Sequence, residues 1–258
     1  AAAVKALWIE MFEDKESYVD HYMSSTWKHN RVLLLLRGEE IVSMLHLNPY
    51  TCIVQGERLD LHYIVGVCTK KAEQGKGYMG QLVTEALRIC KEDGEPFTYL
   101  MPAAEAIYRP YDFVSAGWCD KFVIEAEEAA PSLPQARWDA IVPELGQAGS
   151  IQNVGNHTLQ ICPFDRWTAG QTKQLESFAA ELPMDMHAAW TVAYFAETDQ
   201  QMKCYDGELV AVWDQEKPIA IAAYLCEEDQ SEAEITHVLA AKQYQKLVCR
   251  QLAEYVRK

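Results

Sequence analysis

The residues best placed to do chemistry are Gln74-Gly75-Lys76-Gly77-Tyr78-Met79-Gly80. Before them, residues 61–68 form an apolar run rich in aromatic and β-branched side chains, which suits a buried strand. After them, Met79, Leu82, Val83, Ala86, Leu87 and Cys90 recur at the spacing of an amphipathic helix. A strand therefore enters a glycine-bearing loop that opens directly into a helix. The first turn of a helix leaves backbone N–H groups unpaired and carries partial positive charge. Glycines remove the Cβ atoms that would hold a phosphate away from those donors. Lys76 adds a formal charge, so the expected ligand is a diphosphate.

Spacing narrows the choice. Gly75, Gly77 and Gly80 satisfy the G-x-G-x-x-G pattern, but a dinucleotide-binding unit should begin a run of alternating strands and helices. After Cys90 only residues 97–100 read as a strand, and the alternation stops. A Walker loop is excluded, because neither Lys-Ser nor Lys-Thr follows the glycines.

The stretch resembles the GNAT N-acetyltransferases, whose acetyl-CoA loop reads Q/R-x-x-G-x-G/A after a central strand. Gln74-Gly75-Lys76-Gly77-Tyr78-Met79 fits that form, with Met79 in place of the final glycine or alanine. Val67-Cys68-Thr69 resembles the strand end that pairs with pantetheine. Tyr108-Arg109-Pro110-Tyr111-Asp112-Phe113 resembles the family's Y-x-x-x-G-F ending, with Asp112 in place of the glycine. Within the family the nearest likeness is to the Eis (enhanced intracellular survival) type.

The resemblance implies an α/β chain with a mixed α+β sheet, the GNAT fold, repeated in tandem. It implies acetyl-CoA as co-substrate and acetyl transfer to a primary amine by direct attack in a ternary complex. Residues 74–80 would cradle the diphosphate, and Val67–Thr69 would pair with pantetheine and supply an N–H to the oxyanion. Tyr108 is the implied proton donor, with Tyr111 as fallback. For the base, His62 is the nearest titratable side chain on the central strand, and a structural reading stands beside the catalytic one. His46, Asp60 and Glu105 are alternatives, and a water chain needs no named base.

Bulk properties bound the rest. The net charge of −15 argues against nucleic acid, whose partners need a basic face. It favours a cationic acceptor by steering, or serves solubility alone. Candidate acceptors are a small cationic amine, such as an aminoglycoside or polyamine, or a lysine or peptide amine. No apolar run approaches the ~20 residues that span a bilayer, so no membrane association is expected. The eight cysteines form no C-x-x-C pair, which leaves no zinc or redox motif and suggests free thiols in the cytoplasm. No metal is expected, and the Eis resemblance implies a possible homo-oligomer.

With 258 residues the chain has room for one large or two ordinary domains. The expected division is 1–128 as the acetyl-CoA-binding domain, 129–150 as a connector, and 151–258 as a degenerate GNAT-like half without a diphosphate loop. Helices are expected at 4–12 and 15–29, then strands at 31–36, 41–47 and 51–55, with a break at Asn48-Pro49-Tyr50. The central strand and the helix 79–92 follow, then a strand at 97–100, a short helix at 103–108 and last strands within 114–125.

The second half should carry a strand at 159–162, helices at 168–182 and 187–202, and a hairpin of 209–213 with 219–226. A strand at 234–240 then feeds a helix at 242–256 through Ala241-Lys242-Gln243-Tyr244, which offers no phosphate cradle. The strand that usually precedes the first GNAT helix is missing, which reads as a trimmed start. The sequence ends before any counterpart of the family's implied C-terminal carboxylate base. Trp118, Trp138, Trp167, Trp190 and Trp213 read as core or as lining an acceptor pocket. Two other functions compete: a non-catalytic acyl-CoA-binding regulatory module, and a structural pairing domain whose glycine loop is only a turn.

Overall fold

Strand β2 (Glu40–Val54) runs unbroken through Asn48-Pro49-Tyr50, where the sequence predicts a break. Its neighbours are β1 (Arg31–Arg37) on one side and β3 (Glu57–Thr69) on the other, both antiparallel. Pro49 lacks the N–H that a ladder needs. It pairs with His62, whose N–H and C=O point away from β2, to Glu95 and Thr98. Pro49 is thus a non-hydrogen-bonded position toward β3. On its other side β1 has ended at Leu47 and β6 (Met186–Ala188) begins only at Cys52. The missing donor falls in that gap, so the strand continues.

The computed structural model describes residues 1–117, 151–154, 157–226 and 233–256. The chain divides into two units: Ala1–Cys119 with Met184–Ala189, and Asp120–Pro183 with Trp190–Lys258. The expected connector, residues 118–125 of the expected last strands, and Trp118 and Trp138 lie outside the described residues. Residues 114–117 have no regular structure.

In the first unit, alternate residues of β2 serve opposite faces of the sheet. Helices α1 (Ala2–Met11) and α2 (Glu16–Ser24) bury Val4, Leu7, Trp8, Val19 and Tyr22 against Met44 and Cys68. Helix α3 (Tyr78–Glu92) covers the other face, burying Leu82, Val83, Ala86 and Cys90 against Leu45, Leu47 and Ile64. The expected strand at 97–100 reduces to one parallel bridge, Tyr63 with Tyr99, in which the Ile64 N–H donates to the Tyr99 carbonyl at 2.9 Å. Beside it, the backbone of His62 is satisfied by the side chains of Glu95 and Thr98 rather than by a ladder. Helix α4 (Glu105–Tyr108) follows.

The second unit holds a five-stranded antiparallel sheet in the order β4-β5-β7-β8-β9. Its strands are β4 (Ile151–Val154), β5 (His157–Pro163), β7 (Glu208–Asp214), β8 (Lys217–Cys226) and β9 (Ala233–Ala240). Leu209, Ala211 and Trp213 face one core with α5 (Ala169–Ala180) and α6 (Val192–Lys203). Val210 and Val212 face the other core, with α7 (Lys242–Val256). Trp167 and Trp190 pack against the first of these cores.

The helix expected from residue 187 begins five residues later. Thr191 caps it, its hydroxyl accepting from the Tyr194 N–H at 3.2 Å, and residues 186–188 extend the first unit's sheet as β6. From α1 in the first unit, and from α5 in the second after β4 and β5, the order is helix, helix, three antiparallel strands, helix. Between β9 and α7 stands a single residue, Ala241. No helix among the described residues is long and apolar enough to cross a membrane.

Candidate functional site

The end of β3 is bent before the loop begins. Met44 faces Cys68 and His46 faces Val65, so Leu45 alone opposes Gly66 and Val67. This β-bulge puts Gly66 at φ +62°, a conformation that L side chains rarely adopt. A Cβ there would also stand 2.9 Å from Trp8 Cζ3. The chain then makes a short 3₁₀ turn over Lys71–Glu73, and Gln74 Nε2 ties the loop back to the Thr69 carbonyl at 3.2 Å.

Gly75 and Gly77 both have φ near +78°, and open space lies where their Cβ atoms would be. Gly77 is the N-cap of α3, which therefore has no side-chain cap and no acidic residue in its first turn. Helix α5, by contrast, carries a full capping box from Thr168 and Gln171. Leaving out a cap costs about 1 kcal/mol. Burying Leu82 or Val83 alone contributes about 1.5–3 kcal/mol. Packing thus holds the helix without a side-chain cap on its first-turn N–H groups.

The charge beside the loop is shared. The Glu73 carboxylate is buried, with Lys76 Nζ 2.8 Å from one oxygen and Arg37 Nη1 2.6 Å from the other. Two cations on one carboxylate leave a net charge of about +1 at the mouth of the loop. Met79, the departure from the family pattern, packs into the apolar cluster under α3 and so turns away from the glycines. Gly80 is required by a neighbour: the Tyr111 hydroxyl occupies the place of its Cβ. The Cys68 side chain is buried on the α1–α2 face, and burial pushes its thiol up to about 12, so only its backbone is available to a ligand.

Tyr108 closes α4, half-buried, with its ring 5.7 Å from that of Phe113. It packs against the same cluster as Val67 and Met79. Burial, with Tyr63 nearby, raises its phenol above the ordinary value. Asp112 stands at φ +63°, which explains the glycine in the pattern it departs from; Asp is among the few side chains that tolerate that region.

The family model for the acetyltransferase (GNAT) domain matches residues 1–116. Those residues are a GNAT acetyltransferase domain. Solved structures share the fold over nearly the whole chain. A probable N-acyltransferase from Enterococcus faecalis superposes with a TM-score of 0.64 at 13% identity, covering 99% of this chain and 58% of its own. N-myristoyltransferase from Saccharomyces cerevisiae, with bound myristoyl-CoA, gives 0.55 at 12%, covering 99% and 66%. Eis1 from Mycobacterium abscessus gives 0.51 at 13%, covering 94% and 62%. The chain thus spans about three fifths to two thirds of the length of these structures. A search of curated proteins finds no match by sequence.

Val67, Met79 and Tyr108 share one apolar cluster with α3, whereas the His62 imidazole is taken up by Glu95. Five residues separate His62 from Val67 along β3, about 16 Å of extended chain. There the imidazole Nδ1 meets the Glu95 carboxylate, whose other oxygen accepts the His62 backbone N–H at 2.8 Å. Of the alternatives, Asp60 accepts from Thr51 and Glu105 from Arg109 and Ser115.

His46 lies beside the bulge, fully buried between Trp8, Tyr22 and Trp27. The Tyr22 hydroxyl donates to Asn48 Oδ1 at 2.9 Å and accepts from Asn30 Nδ2 at 2.7 Å. Its remaining lone pair can accept only from His46 Nδ1–H, 2.8 Å away. His46 Nε2 is then an acceptor with no partner among the described residues, and burial pulls the imidazole down to about 4.

Three of these features escape sequence reading: Arg37, the Gly66 bulge and the Tyr111–Gly80 contact. Arg37 is 36 residues from Glu73, and no local pattern links them. The single sign of the bulge is a glycine inside a strand pattern.

Proposed function

We propose that the GNAT domain binds acetyl-CoA and transfers its acetyl group to a primary amine. The observation that carries this reading is the glycine-capped N-terminus of α3, left without a side-chain cap directly after the bulged end of β3. In it, the diphosphate sits on the loop formed by Gln74, Gly75, Lys76, Gly77, Tyr78, Met79 and Gly80, with its charge offset by Lys76 and Arg37. Pantetheine lies along the backbone of Val67, Cys68 and Thr69. The neutral amine nitrogen attacks the thioester carbon and the C–S bond breaks; the amine passes its proton to water, the thiolate takes one from the Tyr108 hydroxyl, and the phenolate regains one from solvent. A phenol held above its ordinary value keeps that proton at neutral pH. The proposal routes no proton through His62, whose Nδ1 is committed to Glu95.

The matched neighbours support the class of donor: one is a probable N-acyltransferase and another holds myristoyl-CoA. The net charge of −15 supports a cationic acceptor, either a small polyamine-like molecule or a lysine side chain. Seven described cysteines are free thiols, which suits the cytoplasm as compartment.

Calorimetric titration with acetyl-CoA, beside a Gly77→Glu variant, tests the reading. Open space surrounds the missing Cβ, while the φ of +78° adds a backbone strain of about 1–2 kcal/mol, so circular dichroism first checks that the variant folds with its carboxylate at the diphosphate position. Binding by the wild type that the variant loses is the expected result. A folded wild-type chain that binds no acetyl-CoA removes the proposal.

A further inference from the structure

Three side chains from separate segments converge at the C-terminal end of α3: His62 from β3, Cys90 from the helix and Glu95 from the turn after it. One donor atom from each lies within 4.8 Å of the other two. All three are withdrawn from solvent, with Cys90 3% exposed and the side chains of Glu95 and His62 5% and 15% exposed. We propose that they form a binding site for a divalent transition-metal ion of the zinc class.

The argument begins with Glu95. A carboxylate buried to this degree costs several kcal/mol unless its charge is compensated. Arg31, which reaches the same turn, pairs with Asp93. The groups that face Glu95 are an imidazole, a backbone N–H and a thiol. The Cys90 thiol reaches both the Glu95 carboxylate and the Thr98 side chain. A divalent ion uses all three groups. Carboxylate, thiolate and neutral imidazole together carry a charge of −2, and the ion cancels it.

The donor set is one that zinc favours, nitrogen, sulfur and oxygen, with a fourth position open to water. Tetrahedral bonds of that kind place ligand atoms about 3.3–3.8 Å apart, so closure asks for a movement of about 1 Å. An outer contact already orients one of the ligands, Glu95, and a second fixes the backbone that carries His62. The His62 N–H holds Glu95 Oε2 at 2.8 Å, and the Thr98 hydroxyl donates to the His62 carbonyl at 2.7 Å. On binding, the Cys90 thiol gives its proton to solvent and its sulfur pair to the metal.

The site is separate from the acetyl-CoA loop. It lies at the opposite end of a 15-residue helix, about 20 Å away. It would staple β3, α3 and the turn at 93–96 together, raising stability without entering the reaction. No C-x-x-C or His-x-x-x-His spacing announces it, because its members stand 28 and 5 residues apart in the chain.

The test uses the full chain, stripped with EDTA and titrated with Co²⁺ as a spectroscopic probe. One equivalent should bind, with a near-ultraviolet thiolate-to-cobalt band that Zn²⁺ abolishes by displacement. Cys90→Ser should lose that band and Cys68→Ser should keep it. Glu95→Gln should weaken binding at least about tenfold, and Zn²⁺ should raise the Tm of the wild type but not of Cys90→Ser. If Cys90→Ser fails to fold by circular dichroism, His62→Gln takes its place, with a weakened, shifted band expected. A folded wild type without a stoichiometric band overturns the proposal. So does a band that survives in Cys90→Ser, or millimolar binding shared by every variant.

Discussion

The Tyr111 phenol lies where a Cβ on Gly80 would have to go, with the ring carbon Cζ 3.3 Å from that point. The first turn of α3 and the segment after α4 are therefore joined by the absence of a side chain. Gly80→Ala should force the phenol out of the cluster it shares with Phe113 and Tyr108, destabilising the first unit by about 1–3 kcal/mol. Removing the hydroxyl makes room, so Tyr111→Phe should recover part of the loss. Urea denaturation of the two single variants and the double variant measures the coupling. Strictly additive losses would show that the two residues do not meet as described.

Tyr108 is the proposed proton donor. Tyr108→Phe keeps the ring and its contact with Phe113 but removes the proton. The expected loss in kcat is about 10²–10⁴-fold, with acetyl-CoA affinity unchanged by calorimetry. Turnover equal to that of the wild type would take Tyr108 out of the mechanism. Equal binding with no turnover in either form would favour the non-catalytic acyl-CoA-binding module.

His46 makes stability depend on pH. Its pKa in the folded chain is about 4, below the unfolded value near 6.5. Above pH 6.5 both states are neutral there, and its stabilising contribution is fully present. As pH falls from 6.5 toward 4, the unfolded chain takes up the proton first, and roughly 3 kcal/mol is lost across that window. Denaturation midpoints of the wild type should fall more steeply with pH than those of His46→Gln. Parallel profiles would show that His46 does not titrate as its burial requires.

Asp112 occupies the left-handed region at φ +63°. Asp112→Gly should hold or raise stability, while Asp112→Ala should lower it by about 1 kcal/mol. Chemical denaturation decides the matter. An alanine variant as stable as the glycine one would mean that the position carries no backbone strain.

Interactions close along the chain were legible in the sequence. The strand, glycine loop and helix at 61–92 are a local pattern, since hydrophobic period, cap chemistry and charge are set by neighbours a few residues apart. The same holds for the hairpin of β7 and β8 and for the short step from β9 to α7. The substituted motif positions, Met79 and Asp112, were visible as departures, but only packing and φ explained why they are tolerated.

What the tertiary structure decided concerns groups far apart in sequence. Pro49 reads as a breaker, yet β2 passes through it because two neighbouring strands leave a gap at its missing donor. Residues 97–100 read as a strand, yet side chains of Glu95 and Thr98 take the hydrogen bonds a ladder would need. Lys76 reads as free to meet a phosphate, and a buried Glu73 shares it with Arg37. His62 reads as a neighbour of the loop because it lies on the same strand, but extended chain carries it about 16 Å away to Glu95 and Cys90. Sequence patterns record local period and local chemistry, whereas burial, charge compensation and the path of an extended strand arise only when distant segments pack.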